Sequence, residues 1–399
     1  MLKKSLIKIS YVSLGNILNA GLGFLYIAAV AKTLELNDFG KYALLASFLV
    51  IIAKIIDFGT NSIYVAGTIS NKEDLNEIFF GVKLFLFLVT IPISYAVLYL
   101  FGLMDLKIIT IFILGLIGYG FNFTFFAIFQ KNENYTKIIL INTIPALVKG
   151  FVSLLILLKL LTLNFTQAFG IFSISIIACL IFYKDLLIEI KKINIKGSKN
   201  LNFIKKSIPA GISLLVNDGW SAISNSVAKI TGSFSDVGIF SLADKISNIF
   251  SLISLSIFTV LLPKNAARKR DNLKYDFRES IIISLIVFML AIFTIIFFQV
   301  FINVFFEGKF DQSIKILDLL IFSSAITAIY SFMRDYFFIE NRTSELLLIT
   351  IAKLGGFILL VVLTAPHLKL TGIALSNLIA SILSLVVTVY LIIFRAIKR

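Results

Sequence analysis

The sequence predicts an all-α integral membrane protein of about twelve transmembrane helices, arranged as two six-helix bundles related by a pseudo-two-fold axis along the membrane normal. Three observations predict it: apolar runs that recur from end to end, a lopsided distribution of Lys and Arg among the loops, and a repeat at half the chain length. The chain is 59% apolar and 15% charged, with a mean hydropathy of +0.99. Soluble domains lie nearer half apolar and about a quarter charged. Strands are the weaker reading for runs this long, because a barrel strand needs only about 10 alternating residues.

The runs fall at roughly 10–32, 41–66, 78–101, 107–130, 138–160, 168–188, 207–230, 238–262, 279–304, 314–339, 345–363 and 372–394. Each holds about 20 mostly apolar residues, enough for a helix to cross about 30 Å of hydrocarbon. The first, after "MLKKSLIKIS", resembles a signal peptide with "AAVA" as a cleavage-like site, but it exceeds an h-region and reads as a retained helix. The lone Cys179 lies inside a span, so no disulfide can form within the chain and a packing role is expected. The lone His367 sits in a short loop beside Pro366, which excludes a metal site built on His and Cys.

Positive charge orients the spans. One side collects Lys3, Lys4, Lys8, Lys72, Lys131, Lys137, the basic loops "EIKKINIKGSKNLNFIKK" (189–206) and "PKNAARKRDNLKYDFR" (263–278), Arg342, Arg395, Lys398 and Arg399. The other carries Lys107, Lys309 and Lys369. Both termini are therefore expected in the cytoplasm of a plasma-membrane protein. The formal charge of +15 reflects topology, with the basic loops lying against anionic lipids, rather than nucleic-acid binding.

The repeat joins "NDFGKY" (37–42) to "SDVGIF" (235–240) and "NAG" (19–21) to "NDG" (217–219), each 198 positions apart. "AVAK" (29–32) and "SVAK" (226–229) agree to within one position. Asp38 and Asp236 suit helix N-caps, Gly40 and Gly238 suit tight reversals, and Tyr42 and Phe240 suit an interfacial belt. The expected organisation is a six-helix lobe at 1–190, a basic linker at 191–206 and a second six-helix lobe at 207–399, both lobes running the same way.

Those residues, with "LELNDFGKYALLASF", "SIPAGISLLVND", "GSFSDVGIFSLADKIS", "LLPKNAARK", Pro209 and Pro263, resemble the polysaccharide-transport branch of the multidrug/oligosaccharidyl-lipid/polysaccharide exporter superfamily. Within it they are most similar to the Wzx-type O-antigen flippases. The resemblance spans the whole chain and does not specify a sugar. It implies movement of an undecaprenyl-diphosphate-linked oligosaccharide from the inner to the outer leaflet, with membrane lipids and other polysaccharide assembly proteins as neighbours.

Charges inside spans are the informative residues. Lys54, Asp57, Lys149, Asp218 and Lys353 lie near mid-span, and Asp244 and Lys245 lie two turns into another span. Each costs roughly 2.5–3.5 kcal/mol against lipid, so they must face a polar interior or one another. Lys54, Lys149, Lys245 and Lys353 are candidate ligands for a diphosphate, with Asn19 and Asn217 as polar lining; Asp57, Asp218 and Asp244 are candidates for coupling to a proton or sodium ion. Lys54 and Asp57 share a helix face, and their mutual pairing is the structural alternative. Lys83, Lys229, Arg334 and Asp335 lie nearer span ends, where snorkelling accounts for them. Asn16, Asn19 and Gly23, with Ser213, Asn217, Ser221 and Ser224, form polar stripes that fit either close helix packing or a cavity wall. No cofactor or metal is expected, and no phosphate-binding G-x-x-x-x-G-K-[ST] motif occurs. A multidrug exporter of the same superfamily is the alternative function. A membrane polymerase or ligase fits less well, because the outer loops are short and offer no nucleophile–base pair. A purely structural role leaves the buried charges without a use.

Overall fold

The computed structural model describes residues 2–71, 75–190, 198–248, 250, 277–339 and 342–397. Lys72, linker residues 191–197, the eighth span beyond Phe250, Pro263 and the basic loop through 276 lie outside the described residues. So do the side chains of Lys3, Lys4, Lys8, Arg334, Asp335 and Arg395, together with Lys398 and Arg399. The described backbone is helical and contains no strand. It divides into two compact units, residues 14–222 and residues 1–13 with 223–399. Among the described residues nine helical segments are long and apolar enough to cross a membrane.

The first unit draws on α1 (Leu2–Thr33), α2 (Leu36–Asp57), α3 (Thr60–Asn71), α4 (Asn76–Leu100), α5 (Leu106–Lys131) and α6 (Tyr135–Leu157). It continues with α7 (Phe165–Ile174), a 3₁₀ stretch (Ser175–Phe182), α8 (Tyr183–Glu189) and α9 (Ser198–Asp218). α2 is the central helix, packed by α4, α5, α7 and α9, with Leu44, Leu45 and Leu49 wholly buried. Cys179 is buried, and its thiol lies 3.6 Å from the Gly118 carbonyl, as a packing role requires. Lys32, Lys41 and Lys159 sit at the same helix ends as Lys107, so the charge asymmetry of this unit is smaller than the loop residues named from sequence suggest.

Caps come from residues other than those expected from sequence. Glu35 is the N-cap of α2, whereas Asp38 lies in the first turn and pairs with Lys41 at 3.0 Å. Ser233 caps α11 (Phe234–Ser247) in a capping box, with Asp236 accepting its amide N–H at 2.8 Å. Gly40 and Gly238 lie inside helices rather than at reversals. Tyr42 and Phe240 are core residues, not a belt; Tyr42 meets Tyr26 and Phe172 edge-on. The physical reason is that the first turn of each helix is polar enough to look like loop, which moves the expected cap about three residues along the chain.

Pro145 removes an N–H from the middle of α6 and leaves the Ile141 carbonyl without its intrahelical donor. Asn122 of α5 supplies one, its Nδ2 donating to Ile141 O at 3.2 Å. In a bilayer no water is at hand to take that place. Asn122→Ala is therefore expected to cost about 1–3 kcal/mol in thermal unfolding in detergent. Adding Pro145→Ala should recover most of the loss, since an amide at 145 restores the donor.

The second unit contains α10 (Trp220–Thr231) from Ile223 onward, α11, α12 (Phe277–Phe306), α13 (Asp311–Ile339) and α14 (Thr343–Ile397). α14 holds the last two spans, merged across a kink at Lys369 (φ 49°), so Pro366 and His367 are helical rather than in a loop. With hydrocarbon outside, burial of apolar area contributes little, and hydroxyls knit the helices instead. Ser313 of α13 donates to the Ile239 carbonyl of α11 at 2.7 Å. Ser323 and Thr327 of α13 meet Ser381 of α14 at 2.9 and 3.1 Å.

Candidate functional site: charges at a broken helix

The second predicted span is broken. Phe58 (φ 38°) and Gly59 (φ 72°) take left-handed backbone and end α2 before α3 begins. Thr60 Oγ1 donates to the Asp57 carbonyl, and Asn61 Nδ2 donates to the Phe123 carbonyl of α5 at 3.1 Å. The break is thus tied down by side chains. The seventh span is broken as well, between α9 and α10 at Gly219. Its antiparallel course along α2 sets Gly211 against Phe58 and Gly219 against Ile51; a Cβ at either would lie under 3 Å from those neighbours. Glycine is needed at both for so close an approach.

Two Lys–Asp pairs occupy this region, one helical turn apart on α2. Lys54 Nζ lies 2.8 Å from Asp218 Oδ2 of α9 and 5.0 Å from the centroid of the Phe123 ring. Asp57 is met by Lys83 of α4 at 3.5 Å, and Lys83 also donates to the Ile56 carbonyl at 3.1 Å. The pairing of Lys54 with Asp57 expected from their spacing does not occur, because each finds its counter-charge on a different helix. Lys83 is 5% exposed and does not snorkel. Sequence reasoning missed it; the available signal was Asp57, which needed a cation of its own. Lys83 lines a cavity of about 380 Å³ together with Ile56, Phe80, Phe87, Gly120 and Thr124.

The other sequence candidates of this unit are dispersed. Lys149 is half-buried on α6, 5.2 Å over the Phe172 ring. Asn19 shares a stripe of α1 with Gly15 and Leu22, which meet Ile139 and Gly150 of α6. Its amide is out of contact with solvent and has no hydrogen-bond partner among the described residues. Asn217 turns back onto its own helix, donating to the Ser213 carbonyl at 2.9 Å. In the second unit Lys353 is 4% exposed and donates to Thr327 Oγ1 at 3.3 Å. Asp244 is buried and accepts from Asn248 at 3.2 Å, and Lys245 is half-buried beside it. The arrangement can do two things chemically: present an ammonium to an anion at Lys54, and hold carboxylates in a largely apolar surround.

A family model described as polysaccharide biosynthesis protein matches residues 5–266. No curated protein matches the chain. Among solved structures the chain is similar to the lipid II flippase MurJ in an inward closed conformation, at 16% identity and a TM-score of 0.73, covering 96% of this chain and 87% of that one. It is also similar to an inward-facing multidrug resistance transporter of the MATE family of the MOP superfamily, at 16% identity and a TM-score of 0.71, covering 94% of each chain. A third similarity is to the Vibrio cholerae MATE transporter VcmN in the bent form, at 14% identity and a TM-score of 0.58, covering 96% of this chain and 95% of that one. At such identities the likeness shows a shared fold and nothing beyond it.

Proposed function

Because the chain belongs to the polysaccharide biosynthesis protein family, we propose that it is a flippase carrying an undecaprenyl-diphosphate-linked oligosaccharide, an O-antigen or similar repeat unit, from the cytoplasmic to the outer leaflet of the bacterial inner membrane. It works by alternating access of two lobes, with both termini in the cytoplasm. The reading rests above all on Lys54: an ammonium at mid-span, beside a broken helix, with 22% of its side-chain surface still accessible. A diphosphate cannot cross hydrocarbon without a replacement for its hydration, and a charge-assisted contact supplies one. Lys149 is the second head-group candidate for the same reason, being half-buried rather than sealed. Asn19 and Asn217 are the proposed polar lining of the first unit, Lys245 and Lys353 are proposed substrate residues of the second, and Asp57, Asp218 and Asp244 are the proposed coupling carboxylates.

Moving about two negative charges outward through 100 mV, inside negative, releases about 5 kcal/mol, so the potential suffices as a driving force. The test is flipping of a fluorescent undecaprenyl-diphosphate oligosaccharide in vesicles. An imposed potential should accelerate it several-fold over vesicles clamped at zero. Absence of flipping in either condition removes the reading. The likeness to multidrug transporters favours one alternative, export of organic cations; cation efflux from the same vesicles, without lipid flipping, would establish it instead.

A further inference from the structure

The two Lys–Asp pairs of α2 are built alike but differ in access. Lys83 and Asp57 keep 6% and 12% of their side-chain surface, so the pair is largely closed to an outside anion. Lys54 and Asp218 keep 22% and 38%. The second pair is also the one whose acid stands at the end of a helix, on the last residue of α9 before the break at Gly219.

Building on the flippase reading, we infer that Asp218 is the built-in competitor of the transported diphosphate: its carboxylate occupies Lys54 in the empty protein, and the incoming head group must displace it. A carboxylate and a phosphate offer an ammonium the same thing, an anionic oxygen at about 2.8 Å. The Phe123 ring, 5.0 Å from the Lys54 amine, gives the cation a second hold that does not depend on its anion. Asp218 cannot turn to Lys83 in compensation, since that amine is sealed against Asp57 and the Ile56 carbonyl. Displacement therefore leaves an unpaired carboxylate at the α9–α10 break, and affinity for the head group is lowered by whatever the ion pair contributes. Such a device serves a carrier better than a high-affinity site, because the returning carboxylate expels the anion after transport. Asp218 is on this account a specificity and release residue that never touches the substrate.

The experiment measures binding of geranylgeranyl diphosphate and of inorganic pyrophosphate to the full-length protein in detergent. Asp218→Asn should bind both about two- to fivefold more tightly, the range expected from removing an accessible ion-pair partner. Lys54→Gln should weaken binding at least tenfold, and Lys54→Gln with Asp218→Asn should match Lys54→Gln alone. In vesicles Asp218→Asn should flip more slowly despite tighter binding, because release is impaired. Asp218→Ala, which removes the carboxylate by a different change, should reproduce the gain, and guards against misfolding of one variant. Unchanged or weaker binding by both Asp218 variants overturns the inference while leaving the flippase reading intact. Absence of saturable diphosphate binding by the unmodified protein overturns both.

Discussion

Asp57→Ala is expected to lower stability by about 3–5 kcal/mol. The substitution leaves the Lys83 ammonium buried with the Ile56 carbonyl as its anchor, and an uncompensated charge in a low-dielectric interior is strongly destabilising. Replacing both partners by apolar residues of similar size, Asp57→Leu with Lys83→Met, should restore most of the loss, because a buried ion pair is itself worth little over good packing. Thermal unfolding in detergent distinguishes the cases. A single Asp57→Ala variant as stable as the unmodified protein would show that the pair bears no structural charge. The same result would favour the coupling role proposed for Asp57 over a structural one.

Lys54→Gln should reduce lipid-linked oligosaccharide flipping at least tenfold while membrane protein level stays unchanged. The substitution keeps an N–H donor on a side chain one atom shorter but removes the charge, and the pair it breaks is partly accessible, so stability should fall by at most about 1 kcal/mol. Function and folding thus separate at Lys54, whereas at Lys83 they do not. Lys54→Arg should retain part of the activity, since a guanidinium also pairs with phosphate. Full activity of Lys54→Gln in reconstituted vesicles would displace this residue from the head-group path and leave Lys149 as the remaining accessible mid-span candidate of that unit.

Composition and run length alone placed this chain in a membrane and located its spans, because hydropathy is a property of each segment taken singly. The burial of Cys179 and the need for internal partners among the mid-span charges follow from the same one-dimensional argument: a polar group facing lipid costs too much wherever the helix lies. The identity of those partners does not follow. Lys54 and Asp57 look paired at three residues' spacing, yet which of them meets Asp218 and which meets Lys83 depends on how far α2 is rotated and what α4 and α9 bring to its sides.

The break at Phe58–Gly59 falls in the polar stretch "DFGTNS" (57–62), which the apolar residues on either side hid inside one predicted span. Helix breaks inside hydrocarbon need side-chain donors: here Thr60 of α3 and Lys83 of α4 donate to the Asp57 and Ile56 carbonyls of α2, while Asn61 of α3 ties the break to the Phe123 carbonyl of α5. The sequence by itself therefore determined the class, the apolar runs that form the described spans and the presence of interior charge. Tertiary structure alone decided which charges neutralise one another and which stays open to an anion, since contact between residues 54 and 218 is a fact of packing that no local pattern encodes.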